Sequence, residues 1–228
     1  MYVSLISGGA GYLKGAIALG RSMQRNDPQA ERLLLIEEGA YNNRQIDYAT
    51  RKGGWKIKMV DPVRPPPCDF KAERWPQTFT KLHVWGVDAE RIVYVDADCL
   101  VVQPSYAKLI GREFENIAAC WVARGSTRFN AGMMVLDPDR QLADELIYRI
   151  QNEDPKKTDA AGSDQSYLNL MFPQWTQLPD KFNYRWWERP PGDLHIAHIR
   201  PHPWTNRIGS RYHSQIKQKW KNHLGPLQ

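Results

Sequence analysis

Apolar and polar positions along this chain fall into blocks that read in turn as strands and helices. Tyr2 to Ile6 is a β-rich apolar run that stops at the breaker cluster Ser7-Gly8-Gly9-Ala10-Gly11. Leu13, Ala16, Ile17 and Gly20 then lie at i, i+3, i+4 and i+7, the spacing of a helix with one small, packable face. A second strand, Arg32 to Ile36, follows the polar break at Asn26-Asp27-Pro28. Helical residues around Gln45 to Lys52 lead through Gly53-Gly54 to a third strand near Trp55 to Val60. Strands and helices alternating at this interval predict an α/β domain with a mostly parallel central sheet flanked by helices.

The pattern breaks at Pro65-Pro66-Pro67, because proline fixes φ and disfavours helix in the residue before it, so a long loop is expected from Pro62 to Pro76. Thr78 is placed to cap a short helix carrying Phe79, Leu82, His83 and Trp85, with Gly86 ending it. Arg91 to Val95 is a continuous apolar run of the kind found in a central strand buried on both faces. Further strands are expected at Leu100 to Val102, Ile117 to Val122, Met133 to Leu136 and Leu194 to Ile199. Helices are expected at Asp139 to Gln151, with Leu142, Leu146 and Ile150 at fourfold spacing, and at Ser163 to Met171. With no internal repeat and no low-complexity linker, residues 1–205 read as one domain and 206–228 as a basic C-terminal extension, with a short helix near Gln215 to Lys221.

Composition narrows the class. The 228 residues are enough for a sizeable core, and 42% hydrophobic content with 9 Trp and 10 Tyr excludes a disordered chain. No apolar run approaches the roughly 18 residues of a membrane span. Lys plus Arg exceed Asp plus Glu by six, which favours anionic partners: nucleic acid, a phosphorylated small molecule or an acidic membrane surface. Cys68, Cys99 and Cys120 are odd in number and form no CxxC pair, so neither a disulfide framework nor a zinc knuckle is suggested. Met1 enters the first strand with no visible secretory pattern, and a cytoplasmic location is the expectation.

The buried run Arg91 to Val95 ends in Asp96-Ala97-Asp98. Alternation puts both carboxylates on one face, and a turn there brings them towards one point. Like charges at a strand end are costly without a cation, and Mn²⁺ or Mg²⁺ suits oxygen ligands and joins carboxylates to phosphates. In open α/β sheets the ligand crevice lies beyond the carboxyl ends of the strands, where this pair falls. The terminal strand offers His195 and His198, three apart and so on opposite faces of an extended chain; imidazole is a suitable further ligand.

Several separated segments resemble one family, the retaining glycosyltransferases of family 8, of the glycogenin and galactosyltransferase type, which have the GT-A fold. They are Tyr2-Val-Ser-Leu5 with Tyr12-Leu-Lys-Gly-Ala16, Thr80-Lys-Leu-His-Val-Trp85, Val93-Tyr-Val-Asp-Ala-Asp-Cys-Leu-Val101, Phe129-Asn-Ala-Gly132, Asp164-Gln-Ser-Tyr-Leu-Asn169, Leu178-Pro-Asp-Lys-Phe-Asn-Tyr184, and His198 with Pro203-Trp204. The resemblance implies a single GT-A-like, Rossmann-related domain that binds a nucleotide-sugar donor, most often a UDP-sugar, with Mn²⁺ held by Asp96, Asp98 and His198. It implies donor contacts from Leu5, Ser7 and Tyr12 at the base and uridine, from Arg74 and Lys81 as cations, from Ala97 within the acidic turn, and from Asn130 and Ala131 near the sugar or ribose. It further implies that Asp164 and Gln165 hydrogen-bond the transferred hexose and that Lys81 stabilises charge on the diphosphate.

Three departures from the family pattern stand out. Gly8-Gly9 replace polar residues in the first loop, and Ala161 stands where the family has a carboxylate three residues before the Asp-Gln pair. The segment His198-Ile-Arg-Pro-His-Pro-Trp204 is two residues shorter than usual and lacks a lysine, so Arg200 or His202 is expected to supply that phosphate contact. Taken without the resemblance, Lys81 reads as a surface lysine and Asp164 equally as a helix-terminal carboxylate. A Rossmann phosphate loop at Ser7 to Gly11 lacks its third glycine. Trp186 and Trp187 read as core before acceptor subsite, and the basic tail as solvated, with weak membrane contact through Trp220 as the rarer reading.

The expected activity is transfer of a hexose from a UDP-sugar to a carbohydrate or other hydroxyl acceptor, with retention and with a bound metal. The alternative is a non-catalytic member of the same fold that binds nucleotide sugars or glycans. A nucleic-acid partner is disfavoured because the most distinctive site is acidic.

Overall fold

The first apolar run, Tyr2–Ile6, is buried at every position and forms β1; a strand of this kind needs cover on both faces, and the rest of the chain supplies it. The structure is a computed structural model that describes residues 1–70, 75–123, 125–185, 191–199, 202–205 and 211–225, with the side chains of 75 and 211–213 left aside. Helix α1 (Ala10–Asn26) crosses back so that β2 (Arg32–Glu37) pairs with β1 in parallel, from Tyr2 opposite Arg32 to Ile6 opposite Ile36. Helix α2 (Asn43–Gly53) repeats the crossover to β3 (Lys56–Val60). Its ends are written locally: Asn42 and Gln45 form a reciprocal capping box, and Gly54 takes the left-handed conformation at φ 68° that stops it.

Next come the four-residue helix α3 (Trp75–Thr78), the 3₁₀ helix Phe79–Gly86 and β4 (Ile92–Val95), which joins the other edge of β1 in parallel. Then follow β5 (Cys99–Val101), α4 (Tyr106–Ile110), β6 (Ile117–Trp121), β7 (Phe129–Leu136), α5 (Arg140–Asn152), α6 (Asp164–Met171), β8 (Thr176–Gln177), β9 (Ile196–His198) and α7 (Arg211–Leu224). The main sheet runs β3-β2-β1-β4-β7-β6-β8 and is parallel except for β7, which opposes β4 and β6. Strands β5 and β9 form a separate antiparallel pair. The expected mostly parallel sheet flanked by helices is therefore present. Alternate residues of β1 serve different cores: Tyr2 and Ile6 pack with Ile17, Leu34 and Trp220, whereas Val3 and Leu5 pack with Leu82, Trp85 and Leu146.

Three local expectations need correction. Thr78 precedes the 3₁₀ helix without a side-chain cap; its hydroxyl instead accepts the Asp164 N–H at 3.3 Å. The five-residue α4 and two-residue β8 were absent from the sequence reading, being too short to show a period. The basic C-terminal segment is not a solvated tail: α7 packs on α1 with Ile216, Trp220 and Leu224 buried at fourfold spacing. Arg21 of α1 caps the far end of α7 by donating to the carbonyls of His223, at 2.9 Å, and Leu224. Trp220 is 3% exposed and so is a core residue, not an interfacial anchor.

The indole N–H of Trp220 is buried without a hydrogen-bond partner among the described residues. A buried donor left unpaired costs about 1–3 kcal/mol, which offsets much of what the larger ring contributes over phenylalanine. Trp220→Phe is expected to shift urea-unfolding stability by less than about 1 kcal/mol, whereas Trp220→Ala loses roughly 3–5 kcal/mol through the cavity it leaves. Equal losses in both variants would contradict this packing.

Candidate active site

Strand β4 delivers the acidic pair. The chain leaves the sheet at Asp96, whose N–H bonds the Gly132 carbonyl of β7 at 2.8 Å, and turns at once, with the Cys99 N–H returning to the Asp96 carbonyl at 3.0 Å. The turn carries the chain from the main sheet into β5 and opens a cleft of about 450 Å³ beyond the carboxyl ends of β1 and β4. Leu5, Ser7 and Tyr12 line it from the first strand and helix, and Lys81 from the 3₁₀ helix. Asp96, Ala97 and Asp98 line it from the turn, Asn130 and Ala131 from β7, and Asp164 and Gln165 from the start of α6. These residues, far apart in sequence, were expected to share a site, and the structure gathers them around one cleft. Arg74, Arg200, Trp186 and Trp187 lie outside the described residues.

Lys81 is 6% exposed, so it is not the surface lysine that its local sequence suggests. Its Nζ lies 2.6 Å from Asp164 Oδ2, 3.2 Å from Asp96 Oδ1 and 3.1 Å from the Ala131 carbonyl, and 5.1 Å from the centre of the Tyr94 ring. Burial on its own would lower the pKa of this ammonium, but the charges of Asp164 and then Asp96 outweigh it and hold the pKa above its ordinary value. Tyr94 donates its hydroxyl to the same Asp96 Oδ1 at 2.6 Å; burial first, and the Asp96 charge second, push that phenol well up. Two carboxylates are thus shared by one ammonium before any ligand enters.

The second aspartate looks the other way. Asp98 Oδ1 faces His198 Nε2 at 3.4 Å, and Asp98 Oδ2 faces His202 Nδ1 at 2.9 Å. The expected ligand pair Asp98 and His198 is therefore assembled, while Asp96 is engaged through Oδ1 with Tyr94 and Lys81. His198 is oriented by a chain of amides: its Nδ1 lies 3.0 Å from Asn183 Oδ1, Asn183 donates to Asn130 Oδ1 at 2.8 Å, and Asn130 donates to Gln165 Oε1 at 2.6 Å. Because the Asn183 amide nitrogen is used towards Asn130, its oxygen is the atom left to accept from His198 Nδ1, and the Nε2 lone pair is turned to Asp98. A carboxylate oxygen and an imidazole nitrogen are both ligands of divalent cations, and here they face each other at 3.4 Å.

This fits a divalent cation with Asp98 and His198 as ligands; Asp96, the third expected ligand, stands outside the group of ligand atoms within 4.8 Å of one another that Asp98 and His198 form with Cys99. Gly132 makes room for the His198 ring, since a Cβ there would meet His198 Cε1 at 2.4 Å. Gly15 likewise lets α1 approach the turn, as its Cβ would lie 2.4 Å from the Ala97 carbonyl. His195 points to the opposite side of β9 and sits beside Ser105 Oγ at 3.3 Å and Lys108 Nζ at 3.2 Å. Burial, then the charges of Lys108 and Lys181, lower its pKa.

His202, one of the two residues expected to supply a phosphate contact, faces Asp98 and stacks on Trp204 at 4.9 Å and 5°. Tyr12 meets Trp204 edge-on at 5.0 Å. Sequence reasoning missed Tyr94, Asn183 and Cys99. Tyr94 and Asn183 lay within matching segments yet had no chemistry of their own to single them out, while Cys99 directly follows Asp98. Asp164 opens α6 after Ser163, which adopts φ 97°, ψ 172°, a region that almost only glycine occupies.

The family model described as "Glycosyl transferase family 8" matches residues 10–189. UDP-glucuronate:xylan alpha-glucuronosyltransferase 1 of Arabidopsis thaliana is 26% identical over 190 residues, covering 80% of this chain and 26% of that protein. Galactinol synthase 1 of Ajuga reptans is 23% identical over 219 residues, covering 80% and 63%. The chain spans only about a quarter to a third of the glucuronosyltransferases it matches. The crystal structure of galactosyltransferase LgtC in complex with donor and acceptor sugar analogs superposes with a TM-score of 0.70 at 16% identity, over 96% of this chain and 95% of that one. The fold is accordingly of the GT-A type.

Two outcomes follow from the cleft. Ser163→Gly relieves about 1–3 kcal/mol of backbone strain against roughly 0.5–1 kcal/mol of added chain entropy, so the variant is expected to unfold at higher urea concentration than the parent; a lower midpoint would contradict the strain. Lys81→Met leaves Asp164 and Asp96 uncompensated and is expected to cost about 3–5 kcal/mol. Since the folded pKa of Lys81 is raised, its contribution is complete below the unfolded value of about 10.4 and is lost only as pH climbs through the folded value. The difference in melting temperature between parent and Lys81→Met should therefore stay level from pH 6 to 9 and shrink above about pH 10; shrinkage near neutrality would contradict the buried ion pairs.

Proposed function

We propose that this chain, which belongs to glycosyl transferase family 8, transfers a hexose or hexuronate from a UDP-sugar to a hydroxyl acceptor with retention of anomeric configuration, with a divalent cation, Mn²⁺ or Mg²⁺, held by Asp98, His198 and Asp96. The observation that carries the reading is that Asp98, whose Oδ1 faces His198 Nε2 at 3.4 Å, lines the same cleft as the Lys81–Asp164 pair at 2.6 Å. A cation pocket and a sugar-facing carboxylate thereby stand on two sides of one space.

Breaking the bond between the anomeric carbon and UDP puts negative charge on the diphosphate and positive charge on the sugar ring. A cation held by these residues would supply Lewis acidity to the leaving diphosphate. Lys81 is the protein's own fixed positive charge there, kept ionised by the two aspartates and excluded from water, so it needs no reorganisation as charge develops. Asp164 and Gln165 accept and donate hydrogen bonds to sugar hydroxyls, and the Asp164 carboxylate supports the developing positive charge on the ring. Asn130 and Ala131 border the sugar and ribose, while Leu5, Ser7 and Tyr12 form the wall for the base. In a cytoplasmic setting the acceptor would be a carbohydrate or another hydroxyl compound.

UDP-glucuronate heads the donor panel because relatives carry that sugar nucleotide in their names, followed by UDP-galactose and UDP-glucose. Calorimetric titration of UDP is expected to show binding that needs Mn²⁺ and that weakens by about 10- to 100-fold or more in Asp98→Asn. Release of UDP from a UDP-sugar should fall about 10²- to 10³-fold in Asp164→Asn, with donor binding retained. UDP binding of equal strength in the presence of a chelator would contradict the cation assignment, and turnover of only a GDP- or CMP-sugar would contradict the base.

A further inference from the structure

Directly after Asp98, at the first position of β5, stands Cys99. Its register partner across the β5–β9 pair is His198. Directly opposed residues of an antiparallel pair project their side chains to the same face, so thiol and imidazole are neighbours by construction. One oxygen of Asp98, the Cys99 Sγ and one ring nitrogen of His198 all lie within 4.8 Å of one another, and all three residues are buried. The thiol also lies 3.9 Å from the Gly132 carbonyl, a weak contact that a metal bond can replace.

We propose that Asp98, Cys99 and His198 form a second, alternative ligand set in the cation pocket, which takes a thiophilic divalent cation of the zinc class in tetrahedral geometry. The proposal rests on the assignment of Asp98 and His198 to a cation and adds Cys99 in place of Asp96. Carboxylate, thiolate and imidazole are all zinc ligands, and three protein ligands with one open position is a recurrent arrangement. The supporting partners are in place as well, with His202 on the other oxygen of Asp98 and Asn183 on His198 Nδ1.

On binding, the thiol proton passes to solvent as the metal–sulfur bond forms, and no electron is transferred. One pocket thus offers two cations different ligands: a hard cation draws Asp96 in, and a soft one draws Cys99. Zinc-class ions would compete with Mn²⁺ for Asp98 and His198 and so regulate donor binding.

The test is Co²⁺ titration of the intact chain followed by absorption. The wild-type protein should develop a thiolate-to-cobalt charge-transfer band in the near ultraviolet and the intense visible bands of a tetrahedral ion. Cys68→Ser and Asp96→Asn should keep both; Cys99→Ser and Asp98→Asn should lose the thiolate band. The preference for Zn²⁺ over Mn²⁺ in competition should drop at least about 10-fold in Cys99→Ser. A wild-type spectrum with only weak octahedral bands, or a thiolate band that survives in Cys99→Ser, would overturn the proposal even if that variant is destabilised. If Mn²⁺-dependent UDP binding stands while the cobalt band is absent, this inference falls alone. If Asp98→Asn leaves both untouched, the assignment of Asp98 to any cation falls with it.

Discussion

Three carboxylates, Asp96, Asp98 and Asp164, meet at one largely buried cleft, and their negative charge has to be compensated inside a medium that screens poorly. The structure divides the task. Lys81 takes Asp164 and Asp96, at 2.6 and 3.2 Å, while Asp98 turns to His198 and His202. Each half is useful chemically. In the proposed reaction the first would keep a lysine charged where a diphosphate leaves, and the second would present a carboxylate and an imidazole to one cation.

That division is a product of backbone geometry. β4 ends one residue before Asp96, the turn closes through the Cys99 N–H, and the chain restarts in a different sheet. The two aspartates would share a face on a continuous strand; the turn between them sends their carboxylates to different partners. Small residues make the turn affordable sterically, since side chains at Gly15 and Gly132 would strike the Ala97 carbonyl and the His198 ring. Helix α7 covers α1, whose N-terminal half supplies Tyr12 and Gly15, and none of its described side chains lines the cleft.

The elements with long, clear periods were legible: β1, α1, α5 and the central strand follow from runs such as Tyr2 to Ile6 and from Leu142, Leu146 and Ile150. The cleft was legible through motifs at separated positions, because Asp96-Ala97-Asp98, Asn130 and Asp164-Gln165 each lie at or beside the end of an element. What stayed hidden was orientation. Nothing in the string says that Asp96 would face Lys81 and Asp98 would face His198, since that depends on a chain reversal of three residues. Trp220 was misjudged because its neighbours Lys219 and Lys221 are polar while it lies on the buried stripe with Ile216 and Leu224. Cys99 was passed over for the same reason that makes it interesting: its partner His198 is far away in sequence and adjacent only through the β5–β9 register.

The most direct measurement is anomalous diffraction from crystals grown with UDP and Mn²⁺. The account predicts one manganese peak between about 2.0 and 2.3 Å from an Asp98 oxygen and from His198 Nε2, with the Lys81–Asp164 pair intact across the cleft. A manganese peak that leaves His198 unligated, or a Lys81 parted from Asp164, would contradict it.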